Sequence, residues 1–144
     1  MYWYNGHIYG TETIRGLDVL SLLPSEFLSE NEIAAARIAD QGAVFNPQQQ
    51  FRVTWPAEPV VAHAYVDQLL RSGAVDEASA AESRAALDAA AERLAGGTRD
   101  KALAARLDAL ARGIDGKGGD AVATKRFAGL AETMRGIAGR LRKS

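Results

Sequence analysis

The chain has 144 residues, 47% hydrophobic and 24% charged, with a formal net charge of −1 and no cysteine. That length fits one domain, or one compact domain with an appendage, and the composition is that of an ordinary globular protein. The missing cysteine excludes disulfides and thiolate metal sites, no run of about 18 apolar residues is long enough to span a bilayer, and no basic segment followed by an apolar one marks a signal peptide.

The net charge hides a mild polarity. Residues 1–60 hold three basic and seven acidic side chains, whereas residues 61–144 hold fourteen and eleven. The excess is too small to announce a nucleic-acid partner.

The start of the chain predicts strands. Tyr2, Trp3 and Tyr4 are strong strand formers, Asn5-Gly6 is the preferred pair for a two-residue hairpin, and His7, Ile8 and Tyr9 form the return strand. A longer connection closes on Gly16, and residues 17–22 predict a third strand that Pro24 ends. Leu17 and Val19 fall on one face of it and Asp18, Leu20 and Leu22 on the other, a pattern that suits a strand covered on both sides. Two or three strands alone bury little and leave open edges, so this segment packs on the helices, pairs with another chain, or belongs to a larger sheet.

Residues 24–59 connect the strands to the rest. Ser29-Glu30-Asn31-Glu32 is a capping box, followed by a short helix over residues 33–38 with Gly42 as its stop. Residues 44–59 read as an extended Trp/Pro-rich strap, in which Phe51, Val53 and Trp55 alternate and X-Pro pairs favour extended backbone.

From Pro59 onward the pattern is helical. Val60, Val61, Ala64, Leu69 and Leu70 mark a first helix stopped by Ser72-Gly73. Asp76 caps a second, whose apolar face is Ala85, Leu87, Ala90, Ala91 and Leu94, and Thr98 caps a third with Leu103, Leu107, Leu110 and Ile114. Asp120 caps the last, with Ala123, Phe127, Leu130, Met134, Ile137 and Leu141. Spacings of three and four place each set on one stripe, as in a helical bundle. The predicted fold is mainly α: a short antiparallel β-element over 1–23, the short helix and strap over 24–59, and a helical bundle over 60–144.

Two resemblances follow. Tyr-Trp-Tyr-Asn-Gly-His-Ile-Tyr-Gly-Thr-Glu, then Arg-Gly-Leu-Asp-Val, then Pro-Ser-Glu-Phe-Leu-Ser-Glu-Asn-Glu-Ile resemble the C-terminal end of bacterial LVIVD-repeat proteins, an extracellular β-propeller family. The resemblance covers about residues 2–70 and implies that the strands are the outer part of a final blade. It also implies a secreted or cell-surface location, with the cytoplasm left open, and a chain that is either the end of a longer protein or a relative that has shed its propeller. Residues 62–142 resemble the FIMAH-type helical domain of secreted bacterial proteins, through Gly73-Ala-Val-Asp76, Leu87-Asp-Ala-Ala90 and Ala104-Ala-Arg-Leu-Asp-Ala-Leu110. That likeness implies an accessory or interaction module.

Signatures of catalysis are absent from the sequence: there is no glycine-rich phosphate loop, no Gly-x-Ser-x-Gly and no His-Glu-x-x-His. His7 and His63 lie in unlike segments, and in residues 115–120 Lys117 and Gly119 stand where a calcium loop would alternate oxygen ligands. No enzyme activity, cofactor or metal is therefore expected. Lys125, Arg126, Arg135, Arg140, Arg142 and Lys143 make the last helix basic, which suits a solvated face or weak contact with an anionic surface. The candidate interaction residues are Tyr2, Trp3, Tyr4, Ile8, Tyr9, Phe51 and Trp55, facing a protein partner or a second copy. The alternatives are a small structural subunit docking onto a larger enzyme complex and, behind it, an enzyme whose site leaves no motif.

Overall fold

The computed structural model describes residues 1–4, 6–40 and 53–143. Three strands, β1 (Tyr2–Tyr4), β2 (His7–Glu12) and β3 (Gly16–Leu20), precede five helices: α1 (Glu30–Arg37), α2 (Pro59–Arg71), α3 (Glu77–Ala95), α4 (Lys101–Ile114) and α5 (Ala121–Lys143). The protein is mainly α, with a short antiparallel sheet at its N-terminus. It divides into two compact units, Met1–Pro56 and Ala57–Ser144.

In the N-terminal unit the strands form a meander in the order β1-β2-β3. The third strand is shorter than the sequence predicts, because Ser21 and Leu22 lie beyond its last pair, Ile8 with Leu20. Nor is it covered on both sides. Leu17 and Val19 are 59% and 52% exposed. An apolar alternation on both faces shows that both faces are sticky; it does not supply the layers that would cover them. The Ser29 capping box forms as read, with Ser29 Oγ accepting from Glu32 N at 3.2 Å and Ser29 N donating to Glu32 Oε2 at 2.7 Å. α1 begins at Glu30 and ends at Arg37, with Ile38 as an exposed C-cap. The predicted stop at Gly42 lies outside the described residues, as does most of the strap. At its described end Thr54 makes an antiparallel bridge to Asp40, so the backbone there is extended.

In the helical unit one continuous core joins α2, α3, α4 and α5. Every residue of the α5 row, Ala123, Phe127, Leu130, Met134, Ile137 and Leu141, is buried. On α4, Leu103 and Leu107 are buried, while Leu110 and Ile114 pack partly buried against the core. On α3 the face differs at two positions: Ala86 is buried where Ala85 was expected, and Ala91 is exposed. Alanine occurs all around this helix, so the apolar stripe has no sharp edge in the sequence.

The helix ends explain one further correction. α2 and α3 both close in Schellman motifs: Gly73 has φ +71°, and Ala74 N donates to Leu69 O at 2.9 Å. At the end of α3 the equivalent bond runs from Thr98 N to Arg93 O at 2.9 Å. Thr98 thus belongs to the end of α3, and Asp100 caps α4 instead, its Oδ1 accepting from Leu103 N at 2.8 Å.

One close approach fixes the entry to this unit. A Cβ built on Gly136 of α5 would overlap Ala57 Cβ, an atom with no rotamer to escape into. Gly136→Ala gains about 1 kcal/mol of helix propensity, but displacing the Ala57 backbone should cost about 1–3 kcal/mol. The expected net result is destabilisation that Ala57→Gly reverses. A double-mutant cycle by chemical denaturation measures it, and a Gly136→Ala protein stabler than the parent would refute the contact.

Candidate functional site

The register of the meander sorts the N-terminal side chains onto two faces. Tyr2 pairs with Tyr9 and Tyr9 with Val19, Tyr4 pairs with His7, and Thr11 with Leu17. Residues directly opposite share a face, so these seven form one surface, which holds no Lys, Arg, Asp or Glu. Its rings touch: Tyr2 stacks on Tyr9 at 5.7 Å between centroids, Tyr4 lies 6.4 Å from Tyr9, and His7 meets Tyr9 edge-on at 6.5 Å. His7 Nδ1 is also 3.2 Å from Ser21 Oγ. The other face carries the row Trp3, Ile8 and Leu20, together with Asp18.

The structure therefore gathers Tyr2, Tyr4 and Tyr9 of the predicted interaction residues and sets Trp3 and Ile8 on the opposite face. Trp55 is exposed beside the Asp40–Thr54 bridge, and Phe51 lies outside the described residues. The sequence reading missed Leu17 and Val19 as members of this surface. The missed signal is position: a third strand that follows a hairpin and leads into Pro24 is an edge strand. It also missed Ile14, 90% exposed in the turn before β3, and Phe27. Phe27 sits in a turn closed by the Ser25–Leu28 bridge, with its N–H on Ser25 Oγ, which turns the ring outward.

The distribution of exposed apolar side chains separates the two units. Among the described residues twelve large hydrophobic side chains are exposed, and eleven of them lie in Met1–Pro56; Val122 is the exception. Scattered exposed apolar residues are ordinary; here nearly all of them fall in one of the two units.

Several ion pairs close within the helical unit. Arg84 of α3 pairs with Asp67 of α2 at 2.9 Å, and Arg93 with Asp100 at 3.3 Å. Arg135 pairs with Asp115, Arg142 with Asp108, and Arg140 with Glu58 Oε1 at 2.6 Å while also donating to Ala57 O. Three of the six basic residues of α5 are thus held by carboxylates of their own unit. His63 Nε2 lies 3.1 Å from Asp88 Oδ1 and ties α2 to α3. Among the described residues no three His, Cys, Asp or Glu side chains group as a metal site would need, and no helix is long and apolar enough to cross a membrane.

The resolved titration shifts have structural causes. Asp76 is held below the usual carboxylate range by the Ser79 amide, and Asp120 by the amides of Ala123 and Val122, as befits N-caps. Residues 115–120 accordingly form a helix-joining turn with Asp120 as its cap. The Tyr65 hydroxyl is pushed up, first by burial and then by the nearby Glu132 carboxylate.

Searches against protein-family models, curated proteins and solved structures each found no match.

Proposed function

We propose that this chain is a non-catalytic interaction and assembly module whose N-terminal sheet pairs with another polypeptide, a second copy or the sheet of a larger β-protein. One observation carries the reading: eleven of the twelve exposed large apolar side chains among the described residues lie in the N-terminal unit. β3 offers the attachment point. It is an edge strand that pairs with β2 on one side, and its other edge presents amides and carbonyls for strand addition. The added strand would lie beside the uncharged Tyr2-Tyr9-Val19 row and extend it.

The resemblance to the end of an LVIVD-repeat propeller fits this reading, since a last-blade segment needs neighbouring strands, and it gives the proposal its setting at the C-terminus of an exported propeller-like protein. Contact of α5 with an anionic surface has less support, because Arg135, Arg140 and Arg142 are already paired within their own unit.

Sedimentation velocity combined with amide hydrogen exchange tests the proposal. The intact chain is expected to associate at micromolar concentration and to protect the Gly16–Leu20 amides only when associated. Val19→Lys should return it to monomer without changing its helical signal. A monomer with fast exchange along β3 would assign the sheet to a different partner chain. A monomer at high micromolar concentration with slow exchange throughout β3 would overturn the proposal.

A further inference from the structure

We draw no further inference here: the strongest candidate, the apolar face of the N-terminal sheet formed by Tyr2, Tyr9, Leu17 and Val19, belongs to the surface already described, and nothing in the structure shows what covers it.

Discussion

Leu107→Ala is expected to destabilise the helical unit by about 2–5 kcal/mol. Leu107 is 0% exposed and sits among the largest fully buried side chains. It lies on α4, which packs most extensively on α5. The other buried α4 residues are Leu103, one turn before it, and the small Ala104 and Ala111, and protein cores relax only partly around such a hole. The cost therefore includes the lost transfer energy and much of the cavity left behind. Leu110→Ala provides the comparison. Leu110 is only partly buried and already borders open space, so its truncation should cost distinctly less, near 1 kcal/mol. Chemical denaturation followed by circular dichroism reads both. A loss below about 0.5 kcal/mol for Leu107→Ala would mean that α4 does not pack through this stripe.

The same comparison shows what the sequence could carry. The α5 row was legible because large apolar residues recur at three and four with polar residues between, and all six are buried. Caps were legible where a single candidate stood at the right spacing, as with Ser29, Asp76 and Asp120. At residues 98–100 the sequence reading took Thr98, and the cap is Asp100. The Schellman closure of α3, a matter of one backbone bond from Thr98 N to Arg93 O, takes Thr98 into the end of that helix. On α3 the alanines make neighbouring faces nearly equivalent, so Ala85 and Ala86 could be told apart only by packing.

The candidate surface was half legible for a similar reason. Period-two alternation gives the two faces of a strand, but β3 is apolar on both, and the sequence holds no mark of which face its neighbours leave open. The ion pairs were not legible at all. Arg142 meets Asp108 and Arg140 meets Glu58 across long loops of sequence, and only the helix arrangement brings them together. The basic run on α5 therefore looked more available in the sequence than it is in the fold.

Residues 57–144 alone are expected to fold, to stay monomeric, and to melt within about 2 °C of the helical transition of the intact chain, a shift that corresponds to well under 1 kcal/mol. The physical ground is the location of the core. Every member of the main hydrophobic cluster lies between Ala62 and Leu141, and Val122 is the one large exposed apolar side chain of this unit among the described residues. Caps at Asp76, Asp100 and Asp120 and the ion pairs from Arg84, Arg93, Arg135, Arg140 and Arg142 also close within it. Removing Met1–Pro56 takes none of these away, but it removes β3 and eleven exposed apolar side chains. Association should therefore vanish while the helical transition persists. The two measurements separate the roles: sedimentation reports the lost partner contact, and thermal unfolding by circular dichroism reports the intact bundle. If the truncated chain associates as the full chain does, the partner surface lies on the helices. If it fails to fold, the bundle depends on the N-terminal unit, and the strands are part of its architecture instead of a docking element.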